Sequence, residues 1–138
     1  MREELAAFAK RHEARDALVR PTEDEALIPL LMRLHDQAPG GAVFVVADLV
    51  WQTAPTPELL QAFAPRPGRE RVRPVEGYEM QCEHAGFAIV DKIELPRDAW
   101  AHLLSESQRA AVAADARGAA KMIAWALRVS IDERSGER

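Results

Sequence analysis

Few residues in this chain are of a type and spacing that could do chemistry. Asp48 closes the apolar run Val43-Phe44-Val45-Val46-Ala47 and is followed by Leu49-Val50. The C-terminal end of a buried strand is where open α/β sheets place ligand-contacting groups; a carboxylate there also suits capping of the next turn. Trp51, Tyr78 and Trp100 are aromatic side chains able to wall an apolar pocket, because each combines a large contact area with a polar handle. Core packing uses the same property. Arg66, Arg69, Arg71 and Arg73 crowd one Pro-rich stretch of an otherwise acidic chain, and guanidiniums so placed suit a phosphate, a carboxylate or an acidic partner surface. No aromatic interleaves them, which argues against stacking on single-stranded nucleic acid.

Other chemistries find less support. Cys82 and His84 stand too close together for a usual zinc motif, and His12 and His35 add no second pair at ligand spacing, so no metal is expected. His102, on an Ala-rich stretch, reads as a solvated or interface histidine. No Ser or Cys has the glycine-flanked setting of a nucleophile elbow, and no catalytic residue is assigned. The 138 residues carry 18 Lys+Arg against 22 Asp+Glu, a formal charge of −4. That balance opposes diffuse attraction to nucleic acid or an anionic membrane. Apolar residues make up 48% of the chain but fall in runs far short of the ~20 residues that span a bilayer. The acidic start, Met1-Arg2-Glu3-Glu4, is unlike a signal peptide. With Cys82 the single cysteine, a reducing cytoplasm is the expected location.

These side chains must be positioned by few elements. The length suits one domain, here 1–132, with a polar disordered tail at 133–138. Helices are expected at 2–19 and, after a Thr22 cap, at 22–36, where Leu27, Leu30, Leu31 and Leu34 recur at i, i+3, i+4 and i+7. Pro29 either kinks that helix or marks where its regular part begins. Pro39-Gly40-Gly41 turns the chain into a strand at about 42–50, apolar enough to be covered on both faces. Five of the nine prolines lie between 55 and 74, around a short helix near 57–63, and 64–74 is expected to be a mobile loop. A helix over 75–85 ends at Gly86, followed by a strand at 87–95. An Ala-rich helix begins near Trp100 and runs toward Arg117-Gly118. From 121 to 131 bulky residues alternate with Ala, Arg and Ser: the period of two indicates a strand, whereas the alanines would also permit a longer helix. The expected fold is thus α/β, a three-stranded sheet with flanking helices.

The order of these motifs resembles the C-terminal half of class I S-adenosylmethionine-dependent methyltransferases. The likeness runs from Leu27 to Trp100. It rests on the leucine stripe, Pro39-Gly40-Gly41, the strand ending near Asp48-Leu49-Val50-Trp51, Val75-Glu76-Gly77-Tyr78, Glu83-His84-Ala85-Gly86-Phe87, Asp91, and Leu95-Pro96 with Ala99-Trp100. The resemblance implies a Rossmann-like sheet whose last three strands lie in the order five, seven, six, with seven antiparallel. It implies an acceptor pocket near these stretches but transfers no catalytic residue. The family's glycine-rich turn after its first strand and the acidic residue ending its second are not found here, so no cofactor is expected for the isolated chain.

On that reading the chain holds strands five to seven, and the strand at 43–50 presents one bare edge. Nothing in it, neither Lys nor Pro, discourages pairing. Val43, Val45, Ala47 and Leu49 are therefore the interface candidates, and the expected partner is a second copy or a separate chain. Three functions follow from this: a truncated methyltransferase-like interaction protein that is not catalytic alone; a methyltransferase subunit whose partner completes an S-adenosylmethionine site; or a small-molecule-binding domain.

Overall fold

A computed structural model describes residues 2–20, 26–65 and 70–131. The elements are α1 (Arg2–Arg11), β1 (Ala17–Val19), α2 (Leu27–Gln37), β2 (Val43–Trp51), α3 (Pro57–Ala62), β3 (Arg73–Pro74), α4 (Val75–His84), β4 (Phe87–Leu95), α5 (Arg97–Trp100), a 3-10 turn (Ala101–Leu103), α6 (Glu106–Ala114) and β5 (Ala120–Val129). The strands form one sheet in the order β1-β2-β5-β4, with β3 beside β2. β5 is antiparallel to both neighbours, whereas β1 and β3 run parallel to β2. The sheet therefore has five strands, not three. Its β2-β5-β4 portion reproduces the order expected for strands five, seven and six.

Both sheet faces are covered. On one side Leu5 and Phe8 of α1, Leu59 of α3, Trp100 and Val112 pack over Val45, Ala47, Leu49 and the small residues Ala120, Ala124 and Ala126. On the other side the α2 leucines and Val75, Tyr78 and Cys82 of α4 pack over Phe44, Val46, Val50, Ile123, Trp125 and Leu127. The period of two in β5 is thus real but does not separate core from solvent. It separates a bulky face, under α2 and α4, from a small face onto which α1 and its neighbours settle.

The first helix stops eight residues before the expected Val19. Glu13 takes a left-handed conformation at φ 51°, the Glu13 N–H donates to Lys10 O and the Ala14 N–H to Ala9 O. These two bonds are the Schellman closure of a helix end. Because the left-handed position holds Glu rather than Gly, composition gave no sign of it. After this stop the chain extends, and Ala17, Leu18 and Val19 pair with Val45, Val46 and Ala47.

The bare edge expected on β2 is corrected by the same pairing. β1 lies against residues 45–47, and β3 against Val50 and Trp51. Val45 and Ala47 have no exposed surface, Leu49 is buried and Val43 is partly buried. All four side chains point into the face beneath α1.

Other boundaries shift for local reasons. α2 begins at Leu27, so Pro29 falls in its first turn, where the missing N–H has no intrahelical acceptor to lose. The expected Thr22 cap lies outside the described residues; instead the Leu27 N–H donates to Glu70 Oε1 at 3.2 Å. Glu70 to Pro74, within the stretch expected to be mobile, is held by Glu70 hydrogen bonds and by β3. The Ala-rich helix is broken at Leu104. Ser105 caps a new helix through a reciprocal capping box with Gln108. The tail 133–138 lies outside the described residues.

Candidate functional site

The polar cluster at the C-terminal ends of β1 and β2 is built by three segments. Arg20 follows β1 one step beyond the Val19–Ala47 pair, which sets it opposite Asp48. Its Nε donates to Asp48 Oδ2 at 3.1 Å, and its Nη2 to Glu70 Oε2 at 3.0 Å. Arg73 Nη1 donates to the same Glu70 oxygen at 2.7 Å. Asp48 Oδ1 takes the Leu49 N–H at 2.8 Å. Two guanidiniums and two carboxylates thus close on one another.

Burial dominates the electrostatics here. The side chains of Arg20 and Asp48 are only 13% and 11% exposed. Burial raises the Asp48 carboxyl above the usual carboxylate range, against the opposing pull of Arg20. Burial also acts to raise Glu70, but hydrogen bonding and charge from Arg73, then the charge of Arg20, bring it below its ordinary value. Tyr78 stacks on Trp125 with ring centroids 4.4 Å apart and planes 9° apart. Its hydroxyl is buried beside the Asp48 carboxylate, close enough to interact but short of full hydrogen-bond geometry. Burial, and next the charge of Asp48, push its pKa well above the ordinary value.

The structure brings together only some of the candidates named from sequence. Asp48, Tyr78 and Arg73 share this cluster. Trp51 and Trp100 lie on the opposite sheet face, where the Trp100 Nε1 donates to Leu95 O at 3.1 Å. The four aromatic and acidic candidates therefore line no common cavity. Arg71 is exposed, while Arg66 and Arg69 lie outside the described residues. Sequence reasoning missed Arg20 and Glu70. Arg20 follows a strand too short to notice, and Glu70 is the one acid among four arginines.

Two further polar groupings fasten helices to the sheet. Asp91, next to the irregularity in β4 at Val90, accepts from Arg11 at 2.9 Å and contacts His12 Nε2 at 2.8 Å, which ties the end of α1 to the far strand. Glu79 Oε2 accepts from Lys92 Nζ and Trp125 Nε1, both at 2.8 Å. Cys82 is buried, and burial pushes its thiol up to about 12, which leaves no thiolate for chemistry at neutral pH. Among the described residues, no three His, Cys, Asp or Glu side chains stand where they could hold a metal ion, and no helix is long and apolar enough to cross a membrane.

No protein-family model and no curated protein sequence matches the chain. Solved structures do. Geranyl diphosphate C-methyltransferase from Streptomyces coelicolor A3(2), solved with Mg2+, geranyl diphosphate and S-adenosyl-L-homocysteine, superposes with a TM-score of 0.62 at 12% identity, covering 83% of this chain and 46% of that one. A SAM-dependent methyltransferase from Thiobacillus denitrificans, in complex with S-adenosyl-L-homocysteine, gives 0.55 at 12% identity, covering 77% and 53%. The cyclase SpnF gives 0.55 at 15% identity, covering 85% and 50%. The fold is therefore that of a class I methyltransferase over about half the length of such chains. Beyond the three strands expected from the resemblance, the sheet has β1 and β3, both parallel to β2. A cyclase among these structures illustrates that fold alone does not fix chemistry.

Proposed function

We propose that the chain is a methyltransferase-like interaction protein, which docks on a second polypeptide along the outer edge of β1 and does not transfer methyl groups by itself. The position of β1 carries this reading. It ends the described sheet, yet its three side chains are only partly buried, and the family's sheet continues on that side. Asp16 O accepts the Val45 N–H, so even-numbered residues of this stretch face β2 and Ala17 faces away. The Ala17 N–H is taken by the carboxylate of its neighbour, Asp16 Oδ1, at 2.9 Å, a local bond that a partner strand's carbonyl can replace. The self-neutralised Arg20–Asp48–Glu70–Arg73 cluster supports the second part of the reading, because its charges are already matched internally.

A second reading shares the docking and adds that the partner supplies a cofactor half, which makes the complex a SAM-dependent methyltransferase. It is favoured by the S-adenosyl-L-homocysteine in two of the similar structures. A third, small-molecule binding beside Asp48, is favoured by the imperfectly satisfied Tyr78 hydroxyl next to that carboxylate; stabilisation by small anionic or aromatic compounds in a thermal-shift screen would support it.

Ala17→Pro separates docking from folding, since it removes an outward-facing N–H while leaving the bonds to β2. The protein isolated gently from its own cells should run in native mass spectrometry as a complex with a second polypeptide. The substitution should weaken that complex at least tenfold. A chain that runs alone at its 15.3 kDa mass in every such preparation contradicts the proposal.

A further inference from the structure

We propose that two copies of this chain join edge to edge through β4, antiparallel around a twofold axis at Ile93, so that Lys92 of each copy meets Glu94 of the other. This goes beyond the docking at β1 and uses the opposite edge of the sheet, so either can hold without the other.

Among the described residues, β4 is the outermost strand on the side away from β1, with β5 as its strand neighbour. The phase of the ladder decides which of its backbone groups look outward. The Ser130 N–H donates to Gly86 O, whereas Val129 exchanges bonds with Gly41 and Ala42. Even-numbered residues of β5 therefore turn their backbone groups to β4, and odd-numbered ones turn theirs to β2. Asp91, Ile93 and Leu95 stand opposite Ala126, Ala124 and Met122 and so bond within the sheet. That leaves the N–H and C=O of Lys92 and Glu94 directed outward. Both side chains are exposed, and each already touches an opposite charge: Lys92 Nζ donates to Glu79 Oε2 on α4 at 2.8 Å, and Lys121 Nζ to Glu94 Oε2 at 3.4 Å.

Charge selects a second copy as the partner. With the axis at Ile93, Lys92 and Glu94 of opposite copies become directly facing pairs that exchange backbone hydrogen bonds. Carboxylates and ammoniums then alternate from Glu79 through Lys92 of one copy to Glu94 and Lys121 of the other. Neighbouring registers fail on the same ground: an axis at Lys92 sets two ammoniums face to face, and one at Asp91 or Glu94 sets two carboxylates. On the opposite face, beneath α1, Ile93 meets Ile93 of the second copy in a non-hydrogen-bonded pair, the closer kind. The features that guard this edge do not forbid the register. The irregularity at Val90 lies outside residues 91–95, and the edge lysine, which deters other strands, here faces a carboxylate. Asp91 Oδ1 holds the Lys92 N–H at 2.8 Å, a local bond that the Glu94 carbonyl of the second copy replaces, while Asp91 keeps Arg11 and His12. The size sets the strength. Residues 91–95 span roughly 17 Å, so the contact buries well under the ~1,600 Å2 of a standard interface, and the dimer is a weak one.

Sedimentation velocity from roughly ten to several hundred micromolar, the weak range of such contacts, tests this on the intact chain. The mass should rise from 15.3 kDa toward twice that value. Lys92→Glu and Glu94→Lys change exposed side chains, so circular dichroism should be unchanged. Each sets like charges against each other twice across the axis, and each should weaken self-association about tenfold or more. An equimolar mixture of the two variants should dimerise again, because the introduced carboxylate then faces the introduced ammonium and the remaining Glu94 faces the remaining Lys92. Hydrogen exchange at the Lys92 and Glu94 amides should slow as the concentration rises. A wild-type chain that stays monomeric throughout, a dimer indifferent to both substitutions, or a mixture that does not recover would overturn the proposal. Loss of the dimer through Ala17→Pro alone would assign it to β1 instead.

Discussion

Tyr78 is the residue whose surroundings are least comfortable. Its ring is well placed on Trp125, but its hydroxyl has given up water for a poorly formed contact with the Asp48 carboxylate, short of full hydrogen-bond geometry. An unsatisfied buried hydroxyl costs about 1–3 kcal/mol, and removing it leaves the stacked ring in place. Tyr78→Phe should therefore be neutral or stabilising by up to about 1 kcal/mol in urea denaturation. A clear loss of stability would mean that the oxygen is hydrogen-bonded in solution. Arg20 is the opposite case, because nearly all of it is used. Arg20→Met strands the Asp48 carboxylate in a buried position and removes a partner from Glu70. Losing one member of a buried pair costs about 3–5 kcal/mol, and the low end applies because Glu70 stays partly exposed and keeps Arg73. Adding Asp48→Leu should recover most of that loss in the same measurement.

At the scale of elements, the first helix and β1 turn on one residue. Glu13 holds a left-handed conformation that costs an L-residue roughly 1–2 kcal/mol relative to glycine. Glu13→Gly should raise the unfolding free energy by about 1 kcal/mol. An unchanged or lower stability would show that the Glu13 side chain compensates the strain. This position also explains what sequence could and could not reveal. The leucine stripe of α2, the Gly86 stop and the strand at 87–95 were legible because each has its usual period or its usual residue. The strand at the C-terminal side was legible from its alternation, although the alternation sorted large from small rather than inside from outside. A helix end without glycine and a three-residue strand carry no such signal, so residues 12–19 read as helix. β1 went with them, and with it the true state of the edge of β2. The candidate site suffered in the same way: Asp48 and Tyr78 were found as types, whereas Arg20 and Glu70 became visible only once β1 had been paired.

For the whole molecule, the sheet is covered on both faces and, among the described residues, its outermost strand on one side is β1. α2 and α4 cover one face and the remaining helices the other. Among the described residues the sheet has no strand outside β1 on that side. The chain spans about half the length of the methyltransferases it resembles, and the Arg20–Asp48–Glu70–Arg73 cluster pairs two guanidiniums with two carboxylates. The central claim is that this half does not hold the methyl donor alone. Isothermal titration of the purified chain with S-adenosylmethionine, and with its demethylated product, tests that most directly: the account predicts no binding heat up to ligand concentrations of several hundred micromolar, and a saturating isotherm with a micromolar Kd would contradict it.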